Sequence, residues 1–373
     1  MTKKIMLAAN TAWYLANFRL NLACALKQAG YEVVAVAPPG EDMARFKTNG
    51  IRFLPLPMDN KGTNPLVDLM LFLRLVRLLL RERPSGFLAY TPKPNVYGGM
   101  ACRLLGIPSI HTITGLGTAF IRDTWLSRLV RFLYWHGLRQ AHTVFFQNRD
   151  DLDLFVDFGI VRAENARRLS GSGVDLSRFA PVPQPKHFDG SPFRFILIAR
   201  LLWDKGIGEY VAAARMLKAE GRHVEFDLLG FLGVDNPTAI SEKTVSDWVN
   251  EGSVHYLGST EDVRPLIARA DCVVLPSYRE GTPRSLLEAA SMGRPIVTTD
   301  SVGCREVIDD GETGFLCRPQ DADDLGEKLR LMMDLTSERR SEMGRAGRAK
   351  MESEFDERTV IERYLQAVKQ LEH

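Results

Sequence analysis

The sequence is poor in cysteine, in long apolar runs and in clustered metal-ligand side chains, and each shortage excludes a class of protein. Its five cysteines, Cys24, Cys102, Cys272, Cys304 and Cys317, are odd in number and scattered, with the spacing of neither a zinc site nor a disulfide framework. A reducing compartment suits them. Met1 to Asn10 holds two lysines and five consecutive apolar residues, too few for a signal-peptide core or a membrane span, so no export leader is expected. Net charge is also small, +2 over 373 residues, yet residues 1–185 carry 23 Lys and Arg against 13 Asp and Glu, and residues 186–373 carry 25 against 33. The halves therefore stand at +10 and −8. A basic first half suits an anionic surface or ligand; two solvated surfaces of unequal composition are the alternative.

What the sequence does have is length, an ordinary apolar share of 45%, and a repeated rhythm. A chain this long exceeds what one hydrophobic core usually supports, so two domains are expected. Short β-branched or apolar runs at Lys4–Ala9, Glu32–Ala37, Phe87–Tyr90, Ser109–Thr114 and Thr143–Gln147 alternate with stretches of helical length such as Asn17–Ala29. The rhythm restarts after Pro181-Val-Pro-Gln-Pro185, with strands predicted at Phe193–Ala199, Val224–Leu229, Val254–Leu257, Asp271–Leu275 and Pro295–Thr299. Alternation of this kind implies parallel sheets built from right-handed crossovers. The expected division is residues 1–183 and 184–355, with a last helix near 356–373 crossing back to the first domain. Two open α/β domains place ligands at the carboxyl ends of their strands, across a cleft.

The segment Asp271–Thr299 is the most informative. A buried-looking strand leads into Pro276-Ser-Tyr-Arg-Glu280-Gly281-Thr282-Pro283 and then into a helix. Pro283 suits a first helical turn, where its missing N–H is not needed. The backbone donors of Arg284, Ser285 and Leu286 then face an anion, and the helix dipole favours a diphosphate there. Glu280 precedes this helix and Glu288 lies within it, so the two carboxylates bracket the helix start. Carboxylates without a positive partner accept hydrogen bonds from sugar hydroxyls.

The frame Glu280-Gly-Thr-Pro-Arg-Ser-Leu-Leu-Glu288, followed by Gly293-Arg-Pro-Ile-Val, resembles the signature of the family 4 glycosyltransferases, retaining enzymes of the GT-B fold. Ile198-Ala-Arg200-Leu-Leu-Trp-Asp-Lys205-Gly206, Gly173-Val-Asp175, Gly303-Cys-Arg-Glu306 and Asp310-Gly-Glu-Thr-Gly314 extend the resemblance over nearly the whole chain. It implies that Glu288 holds the donor ribose, Glu280 the transferred sugar, and Arg200 and Lys205 the diphosphate. The loop Gly281-Thr282-Pro283, the helix start and Gly230 would complete the donor contacts. It implies no cofactor and no metal, with the leaving phosphate taking the acceptor proton. Asp151 and Asp153 read as helix-start acids rather than metal ligands.

The first domain departs from the family frame. A histidine is usual near the sugar, in a frame such as Thr-Val-His-Gly, but here Thr114 stands at that position before Gly115 and Gly117, and His111 lies three residues earlier, where it reads as a core histidine. Asn17 or Arg19 would contact an acceptor phosphate, or Asn17 would cap the following helix.

Two basic, apolar stretches lie in the first half. Leu66–Leu80 is interrupted by Arg74 and Arg77 and flanked by Arg81 and Arg83; Arg122–Arg139 mixes arginine with aromatic residues. Asp68 and the arginines argue against a spanning helix. Each stretch fits a helix lying in a membrane interface or one packed on a sheet. Taken together they suggest peripheral binding to an anionic cytoplasmic membrane face. The chain is further similar to bacterial enzymes that extend polyprenyl-diphosphate-linked glycans with an N-acetylhexosamine, which implies a UDP-sugar donor and a lipid-linked acceptor. A sugar-nucleotide epimerase of the same fold and a non-catalytic UDP-sugar or membrane-binding protein are the rival readings. A nucleic-acid partner is not expected, because the arginines sit inside apolar helices rather than in exposed basic runs.

Overall fold

The computed structural model describes residues 3–59, 62, 64–116, 125–185, 188, 190–233 and 236–372. They divide into two compact units, residues 1–172 with 358–373, and residues 173–357. The expected boundary after 183 therefore lies eleven residues too late. Val174 donates its N–H to Phe355, pairs with Asp356 and joins Phe179 in the apolar core of the second unit, so 173–183 belongs with that unit.

The first unit holds strands β1 (Lys4–Ala8), β2 (Glu32–Ala37), β3 (Arg52–Pro55), β4 (Gly86–Ala89), β5 (Ser109–Ile113), β6 (Thr143–Phe146) and β7 (Ala166–Arg168). Among the described residues they form one parallel sheet in the order β3-β2-β1-β4-β5-β6-β7. Its helices are α1 (Ala12–Phe18), α2 (Leu20–Gln28), α3 (Met43–Thr48), α4 (Pro65–Glu82), α5 (Gly99–Leu105), α6 (Trp125–Leu138) and α7 (Arg149–Asp157). One face of the sheet packs on α4 and α5, where Met6, Val34 and Phe87 meet Leu71, Leu75 and Leu79. On the other face Ile5, Leu7 and Ala35 pack with Leu22 and Leu26.

The second unit repeats the plan with β8 (Phe193–Ile198), β9 (Val224–Leu229), β10 (His255–Tyr256), β11 (Cys272–Leu275), β12 (Ile296–Thr299) and β13 (Gly314–Cys317), in the parallel order β10-β9-β8-β11-β12-β13. Its helices are α8 (Ile207–Ala219), α9 (Glu242–Asn250), α10 (Arg264–Arg269), α11 (Arg284–Ser291), α12 (Ala322–Asp334) and α13 (Ser337–Glu354). The last helix, α14 (Glu357–Gln370), returns to the first unit, where Val360, Tyr364, Ala367 and Val368 are buried beside Ile5, Leu15 and Phe145.

The strands read from sequence are present, and β3, β7 and β13 are added to them. β3 reads Arg-Phe-Leu-Pro and β7 Ala-Arg-Arg. Both are edge strands whose outer residues need no apolar alternation, so the periodic signal is missing.

Candidate active site

In an open parallel sheet a ligand crevice forms where the strand order reverses, because the connections leave in opposite directions there. In the second sheet that point lies between β8 and β11, since the chain proceeds from β8 to β9 and β10 on one side and from β11 to β12 and β13 on the other. The loops leaving β8 and β11 are thus neighbours, and they carry Arg200, Lys205, Glu280 and the start of α11.

After β8 the chain turns through Ala199–Leu202 and a single 3₁₀ turn, Trp203–Lys205, to Gly206. Gly206 has φ +71°, and a Cβ there would lie 2.0 Å from the Pro276 carbonyl oxygen, so only glycine lets the two loops meet. The Asp204 carbonyl accepts hydrogen bonds from the Tyr278 N–H (3.0 Å) and the Ser277 hydroxyl (3.2 Å). The Asp204 carboxylate accepts from Thr238 (3.0 Å), and Tyr278 donates to Glu209 (2.7 Å) on α8. These contacts set Lys205 against Glu280 in a largely buried ion pair. Gly303 supports Glu280 from behind, where a Cβ would fall 2.4 Å from the Glu280 carbonyl oxygen, and the Glu280 N–H donates to Val302 (2.9 Å). Burial and the nearby Glu280 charge push the Cys304 thiol up to about 11.

At the start of α11, Pro283 occupies the cap position in extended backbone and the helix begins at Arg284. Leu286 donates its N–H to the Pro283 carbonyl (3.1 Å). Its amide is therefore engaged within the helix start, which corrects the expectation that Arg284, Ser285 and Leu286 all present backbone donors. A second correction concerns the carboxylates. Glu280 pairs with Lys205, and Glu288 pairs with Arg284 at 2.8 Å across one helical turn, so neither lacks a positive partner. Burial raises the Glu288 carboxyl above its usual range, and the Arg284 guanidinium opposes that rise. Arg200 is exposed, and its guanidinium has no hydrogen bond or ion pair with a described residue. An anion at this edge would meet one unpaired cation and a lysine whose partner it displaces.

Gly230, after β9, sits where a Cβ would lie 1.7 Å from the Ala199 carbonyl oxygen, so the close approach of its own chain already accounts for the glycine. Gly281 and Thr282 lie between Glu280 and Pro283 in the same loop. The Tyr278–Glu209 and Thr238–Asp204 contacts escaped the sequence reading. Only the pairing of β8 with β11 and β9 brings those segments together, and no local signal carries it.

In the first sheet the order reverses between β1 and β4. The Asn10 N–H donates to Thr91 across that point (2.9 Å). Helix α1 begins at Ala12, capped by the Thr11 hydroxyl, which accepts from the Tyr14 N–H at 3.0 Å. Asn17 therefore lies near the end of α1 and caps nothing; its amide donates to the Trp13 carbonyl and accepts from Arg45 (both 3.0 Å). Arg19 is 2% exposed, with its guanidinium 4.6 Å from the Tyr90 ring centre and 5.4 Å from that of Tyr364. It is a buried cation held by aromatic faces rather than a surface contact for phosphate. Thr114 follows β5 and donates to the Tyr90 carbonyl at 3.4 Å, and Gly115 has φ +111°, a conformation that favours glycine. Gly117 lies outside the described residues. His111 is buried between Asn95 (3.2 Å) and Ser109 (2.9 Å), and burial lowers its pKa to about 3. Asp150 and Asp151 occupy the first turn of α7, and Asp153 faces Arg149 at 3.4 Å.

Residues 15–202 match the family described as Glycosyl transferase 4-like domain, and residues 192–334 match Glycosyl transferases group 1. The chain belongs to this glycosyltransferase family. The glycosyltransferase is 30% identical over 366 residues, 94% of either chain, to the N,N'-diacetylbacillosaminyl-diphospho-undecaprenol alpha-1,3-N-acetylgalactosaminyltransferase of Campylobacter jejuni. It is 22% identical to the capsular polysaccharide biosynthesis glycosyltransferase CapM of Staphylococcus aureus, over 90% of this chain and 89% of that one. Among solved structures, Anabaena HepE in complex with UDP-glucose matches with a TM-score of 0.81 at 18% identity, over 98% of this chain and 99% of that one. Likeness at that identity shows the fold, which is GT-B with two Rossmann-like parallel-sheet domains.

Proposed function

We propose that this glycosyltransferase moves an N-acetylhexosamine, such as GalNAc or GlcNAc, from a UDP-sugar to a polyprenyl-diphosphate-linked saccharide in bacterial surface-glycan or glycoprotein-glycan assembly. The observation that carries the donor side is the cluster at the β8–β11 switch point. Arg200 and Lys205 neutralise the charge that grows on the departing diphosphate, the start of α11 adds its dipole, and Glu280 and Glu288 accept hydrogen bonds from sugar and ribose hydroxyls. Arrival of the diphosphate takes Lys205 from Glu280 and frees that carboxylate for the sugar. The acceptor hydroxyl attacks the anomeric carbon from the face that the leaving group departs, its proton passes to the leaving phosphate, and configuration is retained. In this scheme the two cations do the work of charge neutralisation, so activity is expected to survive EDTA.

The acceptor class is supported by the match to the Campylobacter jejuni enzyme along 94% of both chains, and by the first unit's surface. No described helix is long and apolar enough to cross a membrane. Helix α4 buries Leu71, Leu75, Leu78 and Leu79, yet Leu66, Leu69, Met70 and Leu73 are exposed, Leu66 by 71%. Asp68, the acidic residue of that run, is turned away to Lys93 (2.6 Å) and Tyr97 (2.8 Å). Helix α6 exposes Trp125 (76%), Leu129 and Phe132. The first turns of α4 and α6, which follow β3 and β5, lie toward the carboxyl edge of the sheet, which is the edge that carries Thr114 and Gly115. Arg74 and Arg77 follow the exposed residues of α4, and Arg128 and Arg131 alternate with those of α6, a composition that suits a helix face seated in an anionic lipid interface.

Purified protein incubated with a panel of UDP-sugars and a synthetic polyprenyl-diphosphate saccharide is expected to add one N-acetylhexosamine by mass spectrometry, with or without EDTA. Release of a free or epimerised sugar with no adduct on any acceptor would reject transfer to lipid-linked glycans. In flotation the protein is expected to rise with anionic vesicles and not with neutral ones; equal recovery from both would reject the membrane reading.

A further inference from the structure

The first sheet has a second concave site, at the edge opposite to Thr114 and Gly115. A cavity of about 1000 Å³ opens where β5, β6 and β7 begin, at Pro108, Ala141 and Asn165. Arg139, Arg162, Arg167, Arg168 and Arg363 line it, against a single carboxylate, Glu164. They come from four separate elements: the end of α6, the turn after α7, strand β7 and helix α14. Only Arg162 has an ion-pair partner among the described residues, Glu164 at 3.4 Å. Arg139 stacks 4.5 Å over the Trp135 ring, Arg167 donates to the Ala166 carbonyl (2.8 Å), and Arg363 donates to the Arg168 carbonyl (2.9 Å). Each of these holds the arm in place and leaves most of the five N–H donors of a guanidinium unused. Successive residues of β7 point to opposite faces, so one of Arg167 and Arg168 turns its guanidinium to the hollow beside those of Arg139, Arg162 and Arg363; like charges gathered there repel each other, an arrangement that is favourable when an anion occupies the centre.

We propose that this cavity binds a phosphate-rich anion carrying at least a diphosphate, at a site separate from the β8–β11 switch point. Guanidinium forks match phosphate oxygens in pairs, and arginine rather than lysine supplies every cation here. The volume is at the upper end of small-ligand pockets and exceeds what a single phosphate fills. Its concavity favours a compact anion over a nucleic-acid duplex. The inference stands on the first unit alone and does not depend on which sugar the protein transfers.

The test is calorimetric titration of the full chain in an Arg200→Gln/Lys205→Gln background, which removes the cations assigned to the donor. Inorganic pyrophosphate is one probe, and monomeric dihexanoyl phosphatidylglycerol, a headgroup source without a bilayer, is the other. One-to-one binding of pyrophosphate, weakened at least tenfold by adding Arg139→Gln, Arg167→Gln and Arg363→Gln, supports a soluble ligand. Binding of the lipid alone, whose headgroup carries a single phosphodiester, overturns the diphosphate assignment. Should the triple variant fail to fold, Arg139→Gln/Arg162→Gln replaces it, because the ring contact to Trp135 and the exposed ion pair to Glu164 are what those substitutions remove among the described residues, and a threefold or greater weakening is expected. Binding of neither probe, or binding unchanged by these substitutions, overturns the proposal.

Discussion

At the scale of single residues the proposed donor site turns on the Lys205–Glu280 pair. With both side chains largely buried, either one left alone becomes an uncompensated charge, and each is assigned a contact to the donor. Lys205→Ala and Glu280→Ala are each expected to lower kcat by about 10²–10³, and each is expected to lower the melting temperature while the fold is kept, because the partner's charge is left buried and unpaired. The double variant is expected to be little worse than the singles, because partners in one interaction are not additive. Steady-state kinetics on the three proteins checks both statements, and near-parental rates in either single variant would remove that residue from the site. His111 makes a different prediction. Its folded pKa is near 3 against an ordinary 6.5, so between those values the unfolded chain binds a proton that the folded chain refuses. Stability from this group is full above pH 6.5 and is lost as pH falls toward 3. Thermal melts from pH 7.5 to 4.5 are expected to show a drop in melting temperature that is shallower in His111→Gln.

At the scale of elements, α4 has two faces with different duties. The inner one, through Leu71, Leu75 and Leu79, belongs to the core beneath β1, β2 and β4. The outer one offers Leu66, Leu69, Met70 and Leu73 to whatever lies outside. By sequence, packing on a sheet and seating in a lipid interface are alternatives for this stretch; the inner face packs on the sheet, and the apolar arc is wider than that packing requires, which leaves the outer face for the proposed lipid contact. Leu69→Asp/Leu73→Asp is expected to reduce recovery with anionic vesicles at least fivefold with no loss of thermal stability. Flotation beside a thermal melt separates the two effects; a large fall in melting temperature would mean that the outer residues serve the core instead.

For the whole molecule, the division into units sets what can be removed. Every residue of the two apolar clusters in the second unit lies between Val174 and Phe355, whereas the core on one face of the first sheet includes Val360, Tyr364, Ala367 and Val368 from α14. Deleting 358–373 removes Val360, Tyr364 and Val368 from the core, and at roughly 2–5 kcal/mol for each large buried side chain lost the sum is comparable to the whole stability of a domain, so the first unit is expected to lose its cooperative melt. The second unit, produced as residues 173–357, is expected to melt cooperatively on its own. Differential scanning calorimetry of the full chain, the truncated chain and the isolated unit distinguishes these outcomes.

The parallel strands that carry the two sheets, the glutamates before and within α11 and the amphipathic run of α4 were legible in the sequence because each is a local pattern: an apolar run, a proline at a helix start, a period of 3.6. The edge strands β3 and β7 were not, since polar edge positions carry no such pattern, and neither was the boundary at 172, which depends on Val174 meeting Phe355 nearly two hundred residues away. The pairing of both carboxylates also escaped it, and for Glu280 the partner is 75 residues distant. Local chemistry determined which residues are fit for a sugar-nucleotide site. Strand order, fixed by how the sheets bury their faces, decided that the loops after β8 and β11 adjoin, and the return of α14 to the first sheet decided that Tyr364 covers Arg19 and that Arg363 joins the arginines of residues 139–168 around one hollow.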